Sequence, residues 1–327
     1  AGASLLRLDP GRGAAAARNA GLGAVGTPFV AFVDSDCVVG PGFPSRLLDH
    51  LGDPALAVAV PRIVALEPND SRVLARYEAH RSALDMGSRE ALIRPGSAVP
   101  YAPSAAMVAR VSALGEGFAP ELRMGEDVDL LWRLIESGWQ VRYDPAVTVA
   151  HDHRVTWRGW LARRLAYNLS TATLARRHPG KVPALILTRG GAVFWAAVAL
   201  GRPAVAAGAC AVDTAALARA LHRRVPRALR VAAELTARGR LQEGRHLARA
   251  LTGPWLPFLI AATAVAPRAS RRMWAGVAVA AVAERIADRA AVSELVPALA
   301  DDLARCAGIW AGCVRERRIG ALLPRIR

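Results

Sequence analysis

Along the first half of the chain, apolar residues come in short runs that end on glycine or carboxylate, the pattern of strands alternating with helices. The sharpest is Phe29-Val-Ala-Phe-Val-Asp34-Ser-Asp36, a strand-forming run that stops on two acids. A buried strand ending this way sets both carboxylates at the carboxyl edge of a sheet, where open α/β folds bind ligands. Acids one residue apart point to opposite faces of an ideal strand, so they converge only where the chain turns. Cys37-Val-Val-Gly40-Pro41-Gly42 supplies that turn. Such a pair suits a hard divalent cation shared with phosphates, although an acidic turn without a ligand has the same local pattern.

Upstream, Ser4-Leu-Leu-Arg-Leu8 predicts a short strand, a Gly-rich loop carries Arg12, and the Ala-rich run through Arg18 and Asn19 predicts a helix. With the strand at 29–33 this order makes a βαβ unit. Arg12 is either a phosphate contact at the loop or a solvated charge. Nothing precedes the first strand to begin a parallel sheet, so the sequence reads as starting inside a fold. Downstream, the pattern predicts a helix over 43–52, a strand over 55–60, a polar helical excursion over 70–94, and an apolar segment over 98–110. Small residues at the centre of that last segment leave room for a close approach to the backbone.

Val128, Leu131, Leu134 and Ile135 recur at helical spacing and Gly138 stops the pattern. Glu126 and Asp127 open this helix, where acids favour the helix dipole and where one could act as a general base. Asp129 reads as a first-turn helix residue. A strand-like stretch over 139–150, interrupted by Pro145, runs into His151-Asp-His153, two histidines on one face with metal-ligand spacing.

Past Gly180 the chain turns Ala-rich and predicts an all-α region over 181–327. Gly190–Val212 is apolar except for Arg202 and long enough to span a bilayer. Leu251–Ala266 and Met273–Ala283 are shorter, and Arg176-Arg177, Arg223-Arg224 and Arg271-Arg272 flank these stretches. The pattern favours a cytoplasmic protein associated with the inner face of the membrane over a soluble helical domain.

Charge and cysteine usage narrow the partners. Lys and Arg number 43 against 27 acids, a net charge of +16. This basicity suits phosphorylated substrates or an anionic membrane face. Without an aromatic-interleaved basic cluster or zinc-finger spacing, no nucleic acid partner is expected. Cys37, Cys210, Cys306 and Cys313 form no C-x-x-C and read as reduced thiols.

Taken in order, Ala17-Arg18-Asn19-Ala-Gly21, Phe-Val-Asp34-Ser-Asp36, Gly-Glu126-Asp127-Val-Asp-Leu and His151-Asp-His153 resemble the family 2 glycosyltransferases over roughly residues 4–178. The resemblance implies a GT-A fold over 1–180 (a Rossmann-like mixed sheet) and an inverting transferase using a sugar nucleotide with Mg²⁺ or Mn²⁺. By it, Asp34, Arg12 and Arg18 would face the donor, and Asp36 would bind the metal with His151 or His153. Asp127 would deprotonate the acceptor hydroxyl with Glu126 beside it. Arg163 and Arg164 stand near the place of a Gln-x-x-Arg-Trp motif that processive relatives carry; the motif is absent, and the arginines would grip the diphosphate. The family's first strand and acidic second strand would lie ahead of Ala1.

A narrower resemblance, on Pro95–Ala106, Gly125–Leu134 and Leu174–Gly180, is to the mycofactocin-biosynthesis glycosyltransferases of actinobacteria. It implies UDP-glucose as donor and a peptide-derived redox cofactor, or the glycan growing on it, as acceptor. The alternative within the family is a transferase for another cell-envelope glycan or lipid acceptor, and two rivals outside it remain open on the sequence. Asp34-Ser-Asp36 also resembles the haloacid-dehalogenase hydrolases, but Val38 stands where they place Thr or Ser. A non-catalytic, membrane-attached binding remnant is the other.

Overall fold

The computed structural model describes residues 2–67, 70–153, 156–288 and 292–327. They fall into two compact units, Ala1–Val182 and Pro183–Arg327. In the first, helix α1 (Ala14–Gly23) leads into strand β1 (Phe29–Val33) and β2 (Cys37–Val39). Helix α2 (Ser45–His50), strand β3 (Leu56–Ala65), helix α3 (Val73–Arg81) and strands β4 (Ala91–Leu92) and β5 (Ala106–Arg110) follow. The unit closes with α4 (Val111–Leu114), α5 (Glu126–Glu136), β6 (Gln140–His151) and α6 (Trp157–Arg177).

The sheet is mixed, in the order β1-β5-β3-β6-β2 with β4 on β6, and β3–β6 is its parallel pair. Its central strands β3 and β5 are almost wholly buried, as their continuous apolar runs require. Val58, Val60, Met107 and Ala109 pack with Leu130, Leu131 and Leu134 of α5 and with Phe118 in the main core. β6 runs straight through Pro145: the register with β3 slips from Pro61–Asp144 to Arg62–Thr148, and the bulge absorbs the proline. Asp144 at this bulge accepts hydrogen bonds from Arg46 Nε and His50 Nε2, both at 2.8 Å, which fastens α2 to the sheet.

The strand expected at Ser4–Leu8 does not form. Residues 2–8 carry no regular structure, Leu5 is 90% exposed, and among the described residues β1 is an edge strand paired with β5 alone. Five residues of strand-like pattern have no ladder partner and no core to cover, so their backbone stays with water. The βαβ reading therefore reduces to α1 and β1. The excursion at 70–94 is helical only over α3, and the turn after it is held by a two-pronged Arg62–Asp85 pair.

The acids of α5 divide their work. Asp129 is fully buried and accepts from Arg133 Nε at 2.8 Å, Arg177 Nε at 2.6 Å and His178 Nε2 at 3.0 Å, tying α5 to the end of α6. Burial pushes its carboxyl up, but hydrogen bonds from His178, Arg177 and Arg133 outweigh that and hold it well below the usual carboxylate range. An acid depressed in the fold stabilises at neutral pH and loses that contribution as pH falls through its folded value. Asp129→Asn is expected to cost about 2–3 kcal/mol at pH 7, since three donors lose a charged acceptor while two of them keep some water. Urea denaturation at pH 7 and below pH ~4 checks this; a cost that does not shrink in acid would remove Asp129 from the account.

The second unit is not all-α. Strand β7 (Leu185–Leu187) pairs in parallel with β8 (Pro324–Ile326), and among the described residues six α-helices lie between. These are α7 (Arg189–Ala199), α8 (Pro203–Leu221), α9 (Ala228–Thr252), α10 (Leu256–Val265), α11 (Pro267–Asp288) and α12 (Leu295–Glu316). The apolar stretch Gly190–Val212 is not one span. It breaks between α7 and α8, where Gly201 takes φ +69° and Pro203 starts the next helix. α8 is the one helix among the described residues long and apolar enough to cross a membrane. Its Asp213 carboxylate pairs with Arg240 of the charged helix α9, whose guanidinium also reaches Glu243 Oε2 at 2.6 Å.

Candidate active site

The turn after β1 is closed by two backbone bonds. Asp34 N–H donates to Ala105 O at 2.8 Å and Cys37 N–H donates back to Asp34 O at 3.1 Å. Asp36 is then tied to the end of β6, because Asp152 N–H donates to Asp36 O at 2.9 Å. β2 and β6 are antiparallel, with Cys37 directly opposite His151, so those two side chains leave the sheet on one face. His151 Nε2 lies 3.6 Å from Asp36 Oδ2, and with Cys37 Sγ the three atoms fall within 4.8 Å of one another.

His153 faces elsewhere: its Nδ1 is 3.7 Å from Glu78 Oε2 on α3, and the two imidazole rings stand 4.9 Å apart. Buried His151 Nδ1 and His153 Nε2 have no hydrogen-bond partner among the described residues. Burial holds both imidazoles below their ordinary value, so they are neutral at pH 7, the form that ligates metals. A carboxylate facing the Nε2 of a neutral imidazole at this spacing fits a divalent cation at Asp36 and His151. The Cys37 thiol is pushed up to about 12 by burial and then by the charges of Asp34 and Asp36, so by itself it keeps its proton.

Arg18 of α1 joins the two acidic motifs. One guanidinium nitrogen donates to Asp34 Oδ1 at 2.6 Å, the other to Glu126 Oε1 at 2.9 Å, and its carbon lies 5.3 Å over the Phe118 ring. The neighbouring Asn19 clamps the loop between α4 and α5 through both Phe118 backbone groups, at 2.7 and 2.8 Å. Gly117 is needed there: it takes φ +74°, and a Cβ would sit 2.4 Å from Asn19 Oδ1.

Asp127, partly buried at the start of α5, accepts from Val128 N–H at 2.8 Å and Ser104 N–H at 3.2 Å. Burial pushes its carboxyl above the usual range, against the pull of those N–H groups and of Arg18. Glu126 is raised as well, by burial and then by the Asp127 charge. Tyr101 and Tyr167 lie close enough to feel Asp127.

A small cavity, open to solvent, is walled by Glu78, His153, Trp160, Arg163, Arg164 and Tyr167. Arg164 is committed within it: it donates to Glu78 Oε1 at 2.5 Å and to Arg81 O at 2.9 Å, while Trp160 Nε1 shares the same carboxylate oxygen. Arg163 lines the cavity beside Tyr167. Arg12 stands exposed on the loop before α1.

Residues 2–117 match the profile of glycosyl transferase family 2. The pre-mycofactocin glycosyltransferases of Mycobacterium tuberculosis strains H37Rv and CDC 1551 are each 40% identical to the chain over 342 aligned residues. The alignment takes in 99% of this chain and 72% of each relative. The chain belongs to glycosyltransferase family 2. It is therefore an enzyme that moves a glycosyl group, and its mixed α/β sheet unit agrees with the GT-A fold.

Within this glycosyltransferase the structure brings Asp34, Asp36, Arg18, Glu126, Asp127 and His151 to one end of the sheet, and places Arg163 and His153 at the cavity. Sequence reasoning passed over Cys37, Glu78 and Ser104. Cys37 could have been found from its place directly after Asp36, on a strand that must pair near the histidines. Glu78 has no local signal, since α3 reads as a polar surface helix until Arg164 and Trp160 bury its carboxylate.

Proposed function

We propose that the enzyme transfers glucose from UDP-glucose, with inversion, to a hydroxyl of a peptide-derived acceptor of the mycofactocin type or of the glycan growing on it. The observation that carries this reading is the Arg18 fork, which holds Asp34 of the first acidic motif and Glu126 of the second on one cation. It sets the donor-side acids beside Asp127, so a donor and an acceptor can meet at one sheet edge. The relatives named for pre-mycofactocin support the acceptor.

Asp36 and His151 would hold a Mg²⁺ or Mn²⁺, which when bound supplies positive charge toward the departing diphosphate. Arg163 adds a second cation from the cavity wall, whereas Arg164 serves the cavity indirectly by fixing Glu78 and Trp160. Asp34 takes the nucleotide-sugar side of the fork. Asp127 takes the acceptor proton, because its oxygens are aimed by two backbone N–H groups and its burial raises its proton affinity.

Calorimetric titration of UDP with Mn²⁺ and then with EDTA tests the donor half. Asp36→Ala is expected to weaken Mn²⁺-dependent UDP binding by about 10–100-fold, the range seen when a metal site loses part of its support. An unchanged affinity would take Asp36 out of the cation site.

A further inference from the structure

We propose that Asp36, Cys37 and His151 form a three-ligand site for a thiophilic divalent ion of the Zn²⁺ class. The inference rests on the cation reading of Asp36 and His151 above and names the metal that this chain's ligand set selects.

Two placements bring the ligands together. The β2–β6 ladder sets Cys37 and His151 opposite each other and on one face. The Asp152 N–H to Asp36 O bond closes the turn onto the end of the same ladder. One carboxylate oxygen, one thiol sulfur and one imidazole nitrogen then lie within 4.8 Å of each other. Around a tetrahedral ion with bonds of about 2.0–2.3 Å, ligand atoms stand about 3.5 Å apart. Asp36 Oδ2 and His151 Nε2, at 3.6 Å, are at that spacing already, and a rotation about the Cys37 side chain closes the sulfur. Asp36 is exposed, which gives the ion a way in from solvent.

The donor set discriminates between metals. Mg²⁺ takes hard oxygen ligands in six positions and gains little from sulfur. Zn²⁺ binds thiolate, imidazole and carboxylate in four. On binding, the ion takes the place of the thiol proton on Sγ, and that proton leaves to solvent, so the step balances as thiol plus M²⁺ giving metal thiolate plus H⁺. With three protein ligands a tetrahedral ion keeps one open position. An octahedral ion held only by Asp36 and His151 keeps four for oxygens of a diphosphate and water. Zn²⁺ at this place therefore competes with the ion that serves transfer.

Co²⁺ titrated into the full chain without nucleotide reads the site directly. The expected result is a sulfur-to-cobalt charge-transfer band in the near ultraviolet, bleached by equimolar Zn²⁺ and untouched by Mg²⁺. It should be lost in Cys37→Ser and retained in Cys210→Ser. Cys37→Ser should lower Zn²⁺ affinity by about tenfold or more, while Mn²⁺ affinity, read from the free-ion electron paramagnetic resonance signal, changes by less than about threefold. No band, or a band that survives Cys37→Ser, overturns the proposal. The donor reading fails separately, if the wild-type chain shows the Cys37-dependent band yet binds no UDP with Mn²⁺; the three-ligand site then stands on its own.

Discussion

Asp127→Asn is expected to lower kcat by about 10²–10⁴-fold, the range that a positioned general base contributes, while Mn²⁺-dependent UDP binding stays as in the wild type. The asparagine fills the same space, and its single oxygen keeps one of the two N–H bonds that the carboxylate accepts from Val128 and Ser104 on separate oxygens, so the start of α5 stays largely in place. What it loses is the capacity to take a proton. The pH profile carries a second signature. Burial raises the Asp127 carboxyl, and Glu126 beside it is raised too, so the pair binds a proton at higher pH than free carboxylates do. A base acts in its ionised form, so kcat/KM should rise with pH along a limb lying above the ordinary carboxylate value of about 4. Activity that stays flat down to that value, or UDP binding that disappears together with transfer, would falsify Asp127 as the base.

What the sequence could show, and what it could not, follows from the range over which each signal acts. The run from Phe29 to Asp36 and the helix opened by Glu126 and Asp127 are local patterns, and both elements stand where periodicity puts them. His151 could be read as lying at a strand end, but its choice of Asp36 over Glu78 depends on the register of β2 with β6, which no local pattern contains. Ser4–Leu8 has the composition of a strand, yet a strand exists only with a partner, and among the described residues β1 pairs only with β5. Arg163 and Arg164 are indistinguishable in sequence. The fold separates them by turning Arg164 onto Glu78, a carboxylate 86 residues away, while Arg163 lines the cavity. In the second unit, mean hydropathy over Gly190–Val212 hid a break that a left-handed glycine and a following proline impose, and the apolar Leu185–Leu187 found a strand partner only at the chain's far end.

The Arg18 fork is where these two scales meet, and its removal should have the second large effect. Arg18→Met keeps the apolar contact with Phe118 and withdraws the cation. Asp34 and Glu126 then face each other unpaired, with Asp127 adding a third charge at the same sheet edge. Removing one partner of a buried pair costs about 3–5 kcal/mol; Asp34 is 36% exposed and recovers some solvation, so the expected loss is about 2–3 kcal/mol. Arg18→Lys should recover only part of it, because a single ammonium cannot present two nitrogens to two carboxylates in one fork. Urea midpoints of the three proteins read the stability, and UDP titration with Mn²⁺ reads the donor side. If the fork only braces the fold, both variants lose stability and keep UDP affinity once folded. If it also holds Asp34 for the donor, UDP affinity falls in Arg18→Met under conditions where the protein remains folded, and an unchanged affinity would detach Arg18 from the donor site.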